Sequence, residues 1–335
     1  MFYVDPRGRG DFTQLQTALD WLSAHPSEKP ELELAEGRYE GPFYCAVPGL
    51  RLHGQGRDET LLTAGLAAQQ RHADGRTYGT FRTATLFLDA DHIEVHGLSV
   101  QNRAGWGPTV GQAIALYADS DDLLVEDCAL LGRQDTLFTA PLPERELQAD
   151  GFRGPKQFAP RRRNRQIYRR CLIAGDVDFI FGGAQALFED CELRSLWREG
   201  QEGCQGYVTA ASTQRDERFG YYFQSCRFSA EKGLEDASVY LGRPWREAAR
   251  CCLNDCELGA HIHPQLWSDW DKPQAHEQAV YAVYATRAAD GSPLRPGSQA
   301  SWTSLDPLAA EDCTKEAFLD YVRKQAVQDG RYFSH

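Results

Sequence analysis

Near the start of the chain, Leu15, Ala18, Leu19 and Leu22 fall three and four residues apart, the spacing of one helical face. The first twenty residues read as a helix, with Thr13 as N-cap and Gln16 as its return partner in a capping box. Pro26 and Pro30 end it, so residues 1–25 form an N-terminal helical cap. Leu32 and Leu34 then alternate with Glu31 and Glu33 before Gly37, a strand pattern. At the other end, residues 314–326 place Phe318, Leu319 and Val322 on one face behind a capping Thr314. This predicts a C-terminal helix in a tail over 312–335, closing or flanking the body of the protein.

Between these ends the pattern repeats. VEDCAL (125–130), YRRCLI (168–173), FEDCEL (188–193), FQSCRF (223–228) and LNDCEL (253–258) each read apolar, two polar, Cys, any residue, apolar. VHGLSV (95–100) is a degenerate copy with Leu98 in the cysteine place. The cysteines at 128, 171, 191, 226 and 256 are 43, 20, 35 and 30 residues apart, as in a solenoid whose loops differ in length. β-Branched and aromatic residues at alternate positions make each unit a strand or two. One coil of a parallel β-helix fits; two packed sheets whose strands share a cysteine are the other arrangement. Residues 139–163, rich in Pro, Gly and Arg, have no period and read as a long excursion from one coil. Residues 271–276 and 290–298 read as loops. The whole of 1–335 is one domain.

The repeat locates candidate chemistry. Asp135 follows Cys128 by seven residues, and Asp178 follows Cys171 by seven. Strands about 4.8 Å apart then stack the two carboxylates on one face. Such a pair ionises with difficulty, so one acid keeps its proton while the other serves as nucleophile or base. Aspartates that merely cap turns are the competing explanation. The equivalent positions of the other coils, Arg198, Gly233 and His263, do not repeat the acid.

Composition narrows the field. Apolar residues make up 42% and charged residues 25% of the 335, which is ordinary globular chemistry. A net charge of −12 argues against nucleic acid or anionic membrane as partner. No stretch approaches the ~20 apolar residues of a membrane span. The ten cysteines read as small buried side chains, not as disulfides, and Cys251, Cys252 and Cys256 lack a histidine at zinc-finger spacing. Asp119, Asp121 and Asp122 read as a solvated turn, and Arg161 to Arg163 as an exposed loop patch. No GxSxG or HExxH motif is present.

The sequence resembles the pectin methylesterases (pectinesterases, carbohydrate esterase family 8). The likeness runs through GRGDFTQLQTALD (8–20), GQAIALYADSDDLLVEDCALLGRQDTLF (111–138), RQIYRRCLIAGDVDFIFGGAQALFEDC (165–191), YLGRPW (240–245) and LWSDW (266–270). It implies an all-β, single-stranded right-handed parallel β-helix. It also implies hydrolysis of galacturonate methyl esters to carboxylate and methanol. Asp178 would be the nucleophile and Asp135 the general acid and then base. Gln134 and Gln112 would be the oxyanion donors, and Arg243 the cation that holds Asp178. Trp245, Phe181, Trp267 and Trp270 would be aromatic contacts to the sugar, with core packing the alternative for each. Neither metal nor cofactor is implied; the expected partners are methyl-esterified pectin or oligogalacturonides, met by a monomer.

Three positions depart from the family pattern: Gly111, where histidine is frequent, Gly183, where asparagine is usual, and Phe138, where tyrosine is usual. The excursion at 139–163 is longer than usual. The chain as given opens without a basic end and apolar run, so a cytoplasmic protein acting on short methylated fragments is expected, or a secreted or periplasmic one if a leader was removed. A β-helical polygalacturonase or lyase, a noncatalytic carbohydrate-binding solenoid and an esterase for another carboxylic ester remain open.

Overall fold

In the computed structural model, which describes residues 1–294 and 313–335, parallel strands stack into three sheets of ten, eight and seven strands. The chain visits the sheets in rotation. Glu31–Leu34 lies in the first, Gly37–Glu40 in the second, Phe43–Cys45 in the third, and Arg51–His53 returns to the first, beside Glu31–Leu34. This is a parallel β-helix.

The cysteine repeat is the corner between the first two sheets. The residue before each cysteine adopts a left-handed conformation: Asp127 (φ 54°), Arg170 (51°), Asp190 (53°), Ser225 (53°) and Asp255 (53°), with Gly97 (61°) in the degenerate copy. Three of the five are aspartate, which tolerates this region better than most side chains. The corner turns the next residue inward, a cysteine in five coils and Leu98 in the degenerate copy. Each thiol reaches a backbone carbonyl of the coil before: Cys171 to Val125 (3.4 Å), Cys191 to Tyr168 (3.3 Å) and Cys226 to Phe188 (3.3 Å). The first motif position stacks as well, with Tyr168 on Phe188 at 4.9 Å and Phe188 on Phe223 at 4.7 Å. The repeat therefore marks a close-packed corner; all ten cysteines are free thiols.

The terminal elements differ from expectation in detail. Phe2–Val4 is not helical but pairs with Glu31–Leu34 as the edge strand of the first sheet. The helix is Leu15–Ala24 and buries Leu15, Ala18, Leu19 and Leu22 as the periodicity predicts. Its N-cap is Gln14, without a side-chain bond, so the Thr13 capping box does not form. The Gln16 amide is engaged elsewhere: it exchanges hydrogen bonds with the backbone N–H (2.8 Å) and carbonyl (3.0 Å) of Tyr44. The C-terminal helix is Lys315–Gln328, and Thr314 caps it as expected. Phe318, Val322 and Ala326 pack on Ile167, Leu187 and Tyr222, so it flanks the first sheet. The loop expected at 290–298 is described only as far as 294.

Two other expectations are overturned. Asp119, Asp121 and Asp122 do not form a solvated turn; all three are buried. Asp121 accepts bonds from the fully buried Arg165 (2.7 Å) and from Arg331 (3.0 Å), and Asp122 accepts two from Ser334. Asp121 and Asp122 hold the C-terminal tail to the body. Arg161 to Arg163 are likewise no exposed patch. Arg161 donates to four carbonyls, including those of Pro143 and Gln157. Arg162 pairs with Asp91, and Arg163 with Asp216 and Asp329. Backbone carbonyls hold Arg161, and acids from other segments hold Arg162 and Arg163, which adjacency in sequence does not reveal.

The third sheet positions the site. Leu86, Leu116, Leu137 and Ile180 point into the core, while their neighbours Phe87, Tyr117, Phe138 and Phe181 form an aromatic layer on the outer face. Strand alternation produces that division. Phe81 and, from the excursion, Leu142 and Phe152 cover the layer.

Candidate active site

Strand Leu137–Thr139 pairs with Val177–Gly182, Leu137 opposite Ile180 and Phe138 opposite Phe181. Counting back two residues sets Asp135 opposite Asp178, and the Asp135 N–H bonds the Val177 carbonyl at 3.0 Å. Both aspartates are left-handed, at φ 65° and 49°, and the ladder beyond them shifts register between Val177 and Ile180. A conformation that costs about 1–3 kcal/mol per residue is thus held twice, at neighbouring points of one sheet.

The two carboxylates are 8% and 6% exposed, and both line a cleft of about 380 Å³. Gln112, Gln134, Arg243, Phe181, Trp245 and Trp270 line the same cleft. The structure thus assembles eight of the nine residues that the resemblance singles out. Trp267 is the exception. It is 1% exposed and stacks on Tyr281 at 4.3 Å in the core. It is a packing residue and no sugar contact.

Arg243 follows strand Val239–Gly242. Its Nε and Nη2 bond the two Asp178 oxygens at 2.8 and 2.7 Å. The guanidinium also lies 3.9 Å from the Tyr207 ring centre and 3.7 Å from that of Trp270. Trp270 carries a second cation, Lys272, at 3.9 Å, so its ring serves the cations and not only the cleft. Lys272 donates to the carbonyls of Pro244 (2.7 Å) and Trp245 (3.2 Å), which ties the two sides of the site together.

This arrangement separates the two acids electrostatically. Asp135 is raised well above the usual carboxylate range, by burial first and by the Asp178 charge second, with Arg243 opposing. Burial also raises Asp178, but Arg243 counters it through its charge and its hydrogen bonds, and Lys272 adds to that. The proton of the pair resides on Asp135 and the negative charge on Asp178.

Among the described residues, neither the Gln112 nor the Gln134 amide has a partner within the protein. Gly107 sits directly against Gln134: a Cβ there would lie 2.6 Å from Gln134 Oε1. Gly183 is crowded too, a Cβ meeting the Pro141 carbonyl at 3.0 Å, so the start of the excursion occupies the space that the family's asparagine would need. Tyr207, Lys272, Gly107, Phe81 and Phe152 were not foreseen. Lys272 falls within a stretch legible only as a loop, and the others carry no motif.

Fold and site define a class: a β-helical protein with an arginine-anchored carboxylate beside a second buried acid, in a cleft with an aromatic floor. The pectinesterase family model matches residues 2–145 and 159–322, and the chain belongs to that family. Among relatives, pectinesterase/pectinesterase inhibitor U1 of Solanum lycopersicum is 30% identical over 85% of this chain and 45% of its own length. The chain spans about half the length of the curated relatives it matches. The solved pectin methylesterase from carrot superposes with a TM-score of 0.77 at 26% identity, over 99% of this chain and 97% of that one. A pectin methylesterase solved in complex with a hexasaccharide shares the fold, with a TM-score of 0.75 at 21% identity, over 95% and 96% of the two chains.

Proposed function

We propose that this protein hydrolyses the methyl esters of galacturonate units in pectin or its oligomers. The observation that carries this reading is the Arg243-held carboxylate of Asp178 beside the buried Asp135 in one cleft. Asp178 attacks the ester carbonyl, and the developing oxyanion takes hydrogen bonds from the Gln112 and Gln134 amides. Neutral donors suit this role, since a cation there would pair with Asp178 before substrate arrived. Collapse expels methanol, which takes the Asp135 proton, and leaves an anhydride between Asp178 and the galacturonate. Asp135, now ionised, takes a proton from water. The resulting hydroxide attacks the anhydride, and carboxylate product and Asp178 are released.

Phe181 and Trp245 supply the apolar surface for a sugar ring. Leu147, Gln148, Gly151 and Phe152, all from the excursion, narrow the same cleft, which favours short oligomers over long polymer. A relative of this fold is described in complex with a hexasaccharide, in line with an oligosaccharide ligand. The test is methanol release from methylated oligogalacturonides of defined length, beside polymeric pectin. Methanol without new reducing ends is expected. New reducing ends would indicate a glycosidase, and an unsaturated product a lyase.

A further inference from the structure

Cys252 and Cys313 meet outside the corner repeat. Strand Arg250–Asn254 turns Cys251 into the core and Cys252 to the outer face of the first sheet, where the C-terminal helix packs. Cys313 directly precedes Thr314, the N-cap of that helix. The Cys313 carbonyl accepts from the Tyr222 hydroxyl at 2.9 Å, which ties this end of the helix to the sheet. The two cysteines are 61 residues apart in the chain, yet their sulfurs are 3.2 Å apart.

This contact differs from those of the corner thiols. Cys171, Cys191 and Cys226 each donate to main-chain carbonyls, whereas Cys252 donates to the Cys313 sulfur. An S–S bond is about 2.0 Å long, so side-chain movement of about 1 Å separates the contact from a bond.

The pair is shielded. Cys252 is 4% and Cys313 1% exposed, in a cluster with Phe219, Tyr222 and Phe318. The hydrogen bond to Cys313, and burial after it, push the Cys252 thiol well above its ordinary range. It is therefore protonated and unreactive while the helix is docked. Reaction follows local opening of the helix, a motion that a terminal element makes at less cost than global unfolding.

We infer that Cys252 and Cys313 are a covalent redox site, converted by a small-molecule disulfide into a disulfide that staples the C-terminal helix to the first sheet. One cysteine thiolate attacks the small disulfide, forming a mixed disulfide and releasing one small thiol. The other cysteine thiolate attacks the protein sulfur of that mixed disulfide and releases the second small thiol. Two electrons pass from the cysteine pair to the small disulfide, and the two thiol protons leave with the released thiols. The closed loop contains Trp270 and Lys272, which flank the catalytic arginine, and strand Val280–Tyr284. A cross-link over so long a span restricts the unfolded chain far more than the folded one. The inference is independent of the proposed esterase activity, since it concerns resistance to unfolding.

The test incubates the native protein with oxidised glutathione, blocks the remaining thiols with N-ethylmaleimide and maps the cysteines by peptide mass spectrometry. A Cys252–Cys313 link is expected, with the thermal unfolding midpoint raised by about 5 °C. Dithiothreitol should reverse both. Cys252→Ser and Cys313→Ser should each abolish link and shift. Cys204→Ser, at the one cysteine that is not buried, should keep them. Cysteines 252 and 313 recovered free, carrying glutathione or linked to other cysteines would overturn the inference. So would a link that leaves the midpoint unmoved, or a shift that survives in Cys313→Ser.

Discussion

Arg243 grips Asp178 through two parallel hydrogen bonds of 2.8 and 2.7 Å while its own plane lies against the rings of Tyr207 and Trp270. The guanidinium thus fixes both the charge and the direction of the carboxylate. An ammonium can do the first but not the second. Arg243→Lys is expected to lower kcat by about a hundredfold, since losing a two-point contact displaces the reacting atom. Methanol-release kinetics check this, and a native rate would remove Arg243 from the mechanism.

Asp135 holds its proton because burial and the Asp178 charge raise it well above an ordinary carboxylate. The sign follows directly. The acid form is present below the raised pKa and is lost as pH rises through it, so acyl-enzyme formation should fail on the alkaline side. Asp135→Asn cannot deliver the proton at any pH, and turnover should drop by about 10²–10⁴-fold, the usual worth of a general acid. A pH–rate profile of both forms tests it; a variant with the native alkaline limb and rate would refute the assignment.

Gly107 is a positioning residue for Gln134. A methyl group at 107 would press on the Gln134 amide, 2.6 Å away. Gly107→Ala is expected to cost kcat up to about a hundredfold, as for a lost oxyanion donor. It should have little further effect in a Gln134→Ala background. Equal losses in both backgrounds, read from a double-mutant cycle, would count against this link.

Lys272 is lowered to about 8, by burial first and by Arg246 and Arg243 next. It is charged below that pH and neutral above. Lys272→Met frees the Pro244 and Trp245 carbonyls and removes the cation from Trp270, and kcat should fall by roughly tenfold, about one to two modest hydrogen bonds. The ratio of native to variant rate should shrink as pH rises through about 8, because the native side chain loses its charge there. A ratio that is constant between pH 6 and 10 would show that the charge is immaterial.

Trp267 separates packing from binding. Trp267→Ala should destabilise the fold by about 3–5 kcal/mol, as for other buried aromatics cut to alanine. The effect should appear in thermal unfolding, with KM for oligomer unchanged. A raised KM in the folded variant would restore Trp267 to the cleft.

Periodicity alone was enough for much of the architecture. The cysteine repeat has the solenoid in it because a left-handed corner followed by an inward residue recurs from coil to coil, and equal offsets from Cys128 and Cys171 place Asp135 and Asp178 in register. The apolar faces of both terminal helices were legible for the same reason: burial at helical spacing is a local property. The individual caps were less so. Thr314 bonds as its position suggests, but Gln16 is drawn to Tyr44, a partner twenty-eight residues away.

Only the tertiary structure decided which of the aromatic and charged residues face the cleft. Trp267 and Trp270 are three positions apart, yet one fills the core and the other holds Arg243. Asp119, Asp121 and Asp122 look like a solvated turn until Arg165 and the C-terminal tail fold over them. Lys272 and Gly107 reach the cleft from segments far apart in the chain. A sequence records the spacing that a strand or helix turns into a face; what stands opposite that face depends on where separate coils and loops meet, and no local pattern encodes it.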